Sequence, residues 1–278
     1  MENIVLFIKS YKPDYERVSK LLISIEKHNV EKIPVYLSVN DEDYKFFKRK
    51  VKQDVHLLKD SEIIVCSISH GWKYQQLVKA QFHLLNVCEN YLCIDSDSVF
   101  IRDFGRDDFM YNEHTPYTIM HESKSFIDAM EIIGHDSKDL FQHNALVPVR
   151  KKFGTHGKHW DYGPSPYLWS CKVWRHFQEN YLHPQGYTFE SFFNEIDEEA
   201  LPSEAIIYGE YLLKTRVIDI LPIEGLFKVY HYKEQFELEE SHFDLERLKK
   251  NYMGIIMQSN WNIQEKKNIW SSIKGLWS

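Results

Sequence analysis

Five consecutive apolar residues, Ile4-Val5-Leu6-Phe7-Ile8, stop at the polar segment Lys9-Ser10-Tyr11-Lys12-Pro13-Asp14, after which Val18, Leu21, Leu22 and Ile25 recur with helical spacing. A strand that is apolar at every position must be covered on both faces, which requires helices above and below its sheet. The unit recurs. Pro34-Val35-Tyr36-Leu37-Ser38-Val39 leads into Asn40-Asp41-Glu42-Asp43 and a helix bearing Phe46 and Phe47, and Glu62-Ile63-Ile64-Val65 reads as a third short strand. Strands alternating with helices at this spacing predict an α/β fold, a mostly parallel twisted sheet flanked by helices.

The 278 residues leave room for one large domain with a C-terminal extension. With no repeat, low-complexity block or linker, residues 1–240 read as one domain and 241–278 as a helical extension. Apolar residues at 43% and charged residues at 27% are the balance of a soluble globular chain. The net charge of −7 is opposite in sign to that of a protein that tracks nucleic-acid phosphates. Cys66, Cys88, Cys93 and Cys171 form no C-x-x-C pair, which fits a reducing cytosol. No apolar stretch approaches the ~20 residues that cross a bilayer, and the N-terminal run is too short for a signal segment. The expected location is the cytoplasm, with membrane contact at most peripheral.

Residues 72–88 read as a helix with Leu77, Val78, Leu84, Leu85 and Cys88 as its buried stripe. Trp72, Gln76, Lys79, His83 and Asn86 share another face, which is either solvated or turned to a ligand. Two extended apolar pieces then flank Asp95-Ser96-Asp97. Such a triplet arises about once by chance in a chain of this composition, and Asp41-Glu42-Asp43 is a second. Context separates them: Asp95 and Asp97 interrupt a buried strand, whereas Asp41 and Asp43 open an ordinary loop. Two carboxylates so close at the edge of a core call for a cation. Mg²⁺ or Mn²⁺ suits them and keeps positions for phosphate oxygens. Farther on, helices are expected over 172–181 and 203–215, a strand over 217–221, and helix again from Asp244.

Three blocks, Gly71-Trp72-Lys73-Tyr74-Gln75-Gln76-Leu77-Val78-Lys79, Tyr91-Leu92-Cys93-Ile94-Asp95-Ser96-Asp97-Ser98-Val99-Phe100 and Pro202-Ser203-Glu204-Ala205-Ile206-Ile207-Tyr208-Gly209-Glu210, occur in this order. In them the chain resembles the bacterial DUF6492 glycosyltransferase-like proteins, themselves similar to metal-dependent GT-A glycosyltransferases. The resemblance implies a GT-A-like fold, with residues 1–105 binding a nucleotide sugar and 106–240 the acceptor. It places Ser10 and Tyr11 near the base or ribose, the diphosphate on a metal held by Asp95 and Asp97, and Ser96 beside them. Trp72, Gln76 and Lys79 would face the donor. His231 is the candidate third metal ligand, with His121, His143 and His183 as rivals. Glu204, in the first turn of a helix that Ser203 can cap, is the candidate base, and Asp161 the runner-up.

The reading that follows is a metal-dependent hexosyltransferase acting from a nucleotide sugar, a UDP-hexose first, onto a surface glycan such as capsule, O-antigen or lipooligosaccharide. Two other classes stand beside it: a non-catalytic carbohydrate-binding protein, and a sugar-phosphate nucleotidylyltransferase, although 9–14 lacks the glycine-rich loop the latter needs. In the tail, Ile269, Trp270, Ile273, Leu276 and Trp277 form one helical stripe that would dock on the domain, on a second subunit or on the inner membrane surface, where a lipid-linked acceptor would reside.

Overall fold

The computed structural model describes residues 1–68, 71–136, 146–197, 201–240 and 243–258. The first half lays down β1 (Glu2–Ser10), α1 (Tyr15–His28), β2 (Val35–Val39), α2 (Tyr44–Lys50), β3 (His56–Lys59), α3 (Gly71–Gln81), β4 (Cys88–Asp95) and β5 (Ser98–Phe100). The second adds β6 (Thr118–Ile119), α4 (Lys124–Ile132), α5 (Leu146–Phe153), β7 (Tyr167–Ser170), α6 (Cys171–Phe177), α7 (Phe189–Asp197) and α8 (Glu204–Thr215). Then come β8 (Pro222–Ile223), β9 (Phe227–Tyr230), α9 (Lys233–Glu240), α10 (Leu245–Asn251) and β10 (Gly254–Met257).

The main sheet has the order β3-β2-β1-β4-β7, parallel except for β7, which runs antiparallel to β4. Along β1 the two faces feed different cores. Val5 and Phe7 join the cluster under α3, α6 and α8, whereas Ile4, Leu6 and Ile8 join the one under α1 and α2. That division is why the run is apolar without alternation, and β4 repeats it with Tyr91 and Cys93 against Leu92 and Ile94. The chain winds outward from β1 through β2 to β3 and then returns to place β4 on the other side of β1, so the direction of winding reverses between β1 and β4. In an open α/β sheet the crevice at the carboxyl ends of such a strand pair is where ligands bind.

β4 ends at Asp95, the chain turns through Ser96-Asp97, and β5 enters a second sheet of order β5-β10-β9. The acidic triplet is thus the joint between two sheets. β10 lies at the centre of the second one, paired with β5 and β9. This corrects the helical extension expected after residue 240: the helix stops at Asn251, and Gly254–Met257 return as a central strand fully buried in the domain. The Ile269–Trp277 stripe falls outside the described residues.

Other expectations also change. The third strand is His56–Lys59, not Glu62–Val65; it is an edge strand with mostly half-buried side chains, so no apolar run marked it. Ile63 and Ile64 are buried, but by packing and not in a ladder. Residues 217–221 are not a strand, and the pairing falls instead on Pro222–Ile223 with Thr118–Ile119. The helix from Trp72 ends at Gln81, a 3₁₀ turn follows to Leu85, and Asn86 takes a left-handed φ of 53° before β4 begins. Leu84 is therefore exposed, and Cys88 belongs to a strand.

α8 approaches the loop at Tyr162 closely enough to need a glycine. A Cβ built on Gly209 would lie 2.1 Å from a Tyr162 ring carbon, and that ring is pinned by its hydroxyl, which donates to Glu210 Oε1 at 2.9 Å. Alanine at 209 would favour the helix by about 1 kcal/mol, but overpacking against a fixed ring costs about 1–3 kcal/mol. The Gly209→Ala protein is expected to unfold at lower urea concentration than wild type; an equal or higher midpoint would show that the ring moves freely.

Candidate functional site

At the carboxyl ends of β1 and β4, where Lys9 is in register with Asp95, the molecule opens into a cleft of about 1170 Å³. Its walls come from the β1–α1 connection, α3, the Asp95–Ser98 turn, Tyr167, the start of α8 and the end of β10. Ser10, Tyr11, Trp72, Gln76, Lys79, Asp95, Ser96, Asp97 and Glu204, all singled out in the sequence, line it. Tyr11 and Trp72 are largely exposed on its rim.

The polar face that begins on α3 is exposed at its ends, Trp72 and Asn86, but buried between them. Gln76 is 1% exposed, Lys79 3% and His83 2%, because α3 packs against both β1 and α8. The Lys79 ammonium lies 2.5 Å from Asp95 Oδ1 and 3.3 Å from Glu204 Oε1, with the Tyr167 ring 5.8 Å away. Burial pulls the Lys79 pKa down, but Asp95 and Glu204 more than reverse it and hold the amine charged well above its ordinary value. Glu204 shifts the other way for a carboxylate: burial raises its pKa, and Lys79 only partly offsets this while Asp95 adds to it. One ammonium therefore serves two carboxylates, and Glu204 is the one left more basic than an ordinary glutamate. Ser203 caps α8 by accepting from Ile206 N, and Gln76 Oε1 accepts from Glu204 N at 3.0 Å.

Lys9, Asn40 and Asp14, which the sequence reading passed over, also line the cleft, and Asp60 and Ser38 support them from behind the wall. Lys9 Nζ reaches Asp60 at 2.9 Å, Asn40 Oδ1 at 2.7 Å and the Ser10 carbonyl at 2.7 Å, while Ser38 Oγ donates to Asp60 Oδ1 at 2.6 Å. Burial lowers the Lys9 pKa and raises that of Asp60, the desolvation expected of an interior pair. Asp14 leaves the start of α1 uncapped and instead bonds Arg17 and accepts from Ser96 Oγ at 3.1 Å, fixing the acidic turn to α1. Parallel register would have set Lys9 beside β4, but Asp14 and Asp60 carry no local signal.

Two expected residues lie elsewhere. Asp161 is absent from the cleft wall: its carboxylate accepts from Ser123 Oγ and from Gly163 N, and its backbone bridges His121. His231 lies against Phe126 in a tilted ring pair with centroids 4.4 Å apart, outside the cleft, and burial pulls its pKa down to about 4 although Asp161 opposes this. His121 Nε2 donates to the Gly163 carbonyl at 2.7 Å and its Nδ1 accepts from Ser123 N at 3.2 Å, away from the acidic turn. His143 lies outside the described residues. Among the described residues no three His, Cys, Asp or Glu side chains converge in a metal-holding group. Asp95 and Asp97 themselves supply hard oxygens on a cleft wall, which suits Mg²⁺ or Mn²⁺ held by one or two carboxylates together with substrate phosphates. His231, the third ligand expected from the sequence, does not line the cleft.

Replacing Lys79 by alanine leaves Glu204 buried without its cation. The loss is expected at about 3 kcal/mol, the lower end for a broken buried pair because the Asp95 side chain is 33% exposed. Without Lys79 the Glu204 pKa rises further above its unfolded 4.5, so its contribution is complete below that value and is lost as pH rises through the folded pKa. The stability gap to wild type should widen between pH 5 and pH 8 in urea unfolding. A gap that narrows would mean that Glu204 is not the group left uncompensated.

No curated protein sequence matches the chain. Among solved structures, the apo form of WbbM, titled a bifunctional glycosyltransferase, superposes with a TM-score of 0.53 at 11% identity over 94% of this chain and 46% of that one. The chain thus spans less than half the length of WbbM, and the likeness is one of fold. Apo mouse xyloside xylosyltransferase 1 gives a TM-score of 0.48 at 8% identity, over 94% of this chain and 99% of that one. Residues 3–235 match one family model across most of the domain, the acidic turn and the Glu204 helix included, and the chain belongs to DUF6492, a family of unknown function.

Proposed function

We propose that the protein is a glycosyltransferase that moves a sugar from a nucleotide donor, a UDP-hexose first, onto a bacterial surface glycan. The observation that carries this reading is one cleft at the β1–β4 reversal in which a two-carboxylate turn, a buried lysine and a basic glutamate meet. In this reading the exposed rings of Tyr11 and Trp72 flank the nucleotide end, and Asp95 and Asp97 hold Mn²⁺ or Mg²⁺. Held there, such an ion would offset the charge of a diphosphate leaving group. Lys79 keeps Asp95 and Glu204 apart yet in one place. Glu204 takes the proton from the acceptor hydroxyl, for which a carboxylate of raised pKa is better matched than an exposed one. The WbbM likeness supports the scaffold.

Thermal denaturation with UDP-, GDP-, CMP- and dTDP-sugars, each with and without Mn²⁺, tests the donor. A donor at 100 times its Kd adds about 2.7 kcal/mol, so at least one should raise the midpoint in a metal-dependent way. No shift with any of them would refute the transferase reading.

Glu204→Gln should keep donor binding and lower transfer by about two to four orders of magnitude, the scale of general-base catalysis. In the wild type, transfer should fall as the pH drops through the raised pKa of Glu204, because only the carboxylate can accept the proton. An acid limb that persists unchanged in Glu204→Gln would assign that limb to another group.

A further inference from the structure

Among the described residues, the buried side-chain atoms without a hydrogen-bond partner include Ser10 Oγ, Gln76 Nε2 and Ser98 Oγ, and all three residues line the cleft. A buried donor left unpaired costs a folded protein about 1–3 kcal/mol, so a cluster of them in one cavity wall points to a ligand that completes them. Gln76 is the most informative. Its amide orientation is fixed, since Oε1 accepts the backbone N–H of Glu204 at 3.0 Å, and this leaves the NH₂ group as the uncommitted end. The neighbouring Lys79 ammonium is already committed to Asp95 and Glu204.

We propose that Gln76 is the residue that selects the donor sugar, its Nε2 donating to a ring hydroxyl oxygen of the transferred pyranose. The assignment rests on the donor reading above, which puts the diphosphate at the Asp95 turn. Gln76 lies three residues before Lys79 on α3, a rise of about 4.5 Å, and both side chains meet Glu204, which keeps the amide close to the lysine that touches Asp95. The geometry selects a hexose bearing an oxygen acceptor at that ring position over its deoxy analogue, because the deoxy sugar would leave the amide unpaired. It also makes α3 a double clamp on the first residue of α8: Gln76 holds the Glu204 backbone and Lys79 its carboxylate, so sugar recognition and base position share one helix.

Calorimetric titration of UDP, UDP-glucose and UDP-galactose with Mn²⁺ into wild type, Gln76→Glu and Gln76→Met separates the possibilities. Glutamate keeps an oxygen to accept from Glu204 N and lacks the donor; methionine lacks both. Both variants should bind UDP within about twofold of wild type and lose about tenfold of the preference for UDP-hexose over UDP, the scale of one hydrogen bond. If glutamate behaves as wild type and only methionine fails, Gln76 serves to hold α8 and the proposal is overturned. It is also overturned if both variants keep the wild-type preference. A wild-type protein that binds UDP with no preference for either hexose overturns it as well. A wild type that binds no UDP species would instead remove the donor reading beneath it.

Discussion

One ammonium group, that of Lys79, organises the site. A lysine this deeply buried is unfavourable by itself, and two carboxylates this close would repel one another in an interior of low polarity. Placed together they satisfy one another. Because Asp95 ends β4, Glu204 begins α8 and Lys79 lies on α3, the ion triad also binds the carboxyl end of an interior strand to two helices at one point. The chemistry attributed to the cleft depends on this arrangement: the two anions share one cation, and burial leaves Glu204 with a proton affinity above that of an ordinary glutamate.

The sheet supplies the place for that triad. Reversal of winding between β1 and β4 opens the crevice, and the turn at Asp95–Asp97 occupies it because the chain there leaves one sheet for another. Supports come from both sides. On one side Asp14 accepts from Ser96, and on the other Asp95 N donates to Ser165 Oγ at 3.0 Å. Asp161 contributes through the second of these. It holds Ser123 and the Gly163 amide, at the base of the segment that carries Ser165, and so acts on the cleft by fixing a loop from behind.

A second buried pair, Lys9 with Asp60, does comparable work beside the β1–α1 connection. It joins the ends of β1 and β3 across β2, with Ser38 and Asn40 completing the hydrogen bonds. The cleft thus has two ion clusters in its wall, one joining the end of β4 to α3 and α8 and the other joining β1 to the residue after β3. The same wall carries buried polar atoms without hydrogen-bond partners, on Ser10, Gln76 and Ser98.

Much of the scaffold was legible locally. Ile4–Ile8 and Val35–Val39 announce strands covered on both faces, the spacing after Asp14 announces α1, and the break at Asp95-Ser96-Asp97 marks a strand end. These are short-range properties, set by side-chain periodicity and turn chemistry. The edge strand β3 and the central strand β10 were not legible, the first because an edge needs little apolar sequence and the second because four residues, Gly254–Met257, are too few to show a period. The polar face of α3 could not be placed from sequence either, since periodicity says that Gln76 and Lys79 share a face but not whether that face meets water. Only closure of the chain decides this: Glu204 lies 128 residues beyond Gln76, and it is the arrival of α8 that turns a surface-like pattern into a buried, charged site. The sequence determined which elements form and which residues carry charge; the tertiary structure decided which charges meet, because ion pairs and strand neighbours are fixed by distance in space and not by distance along the chain.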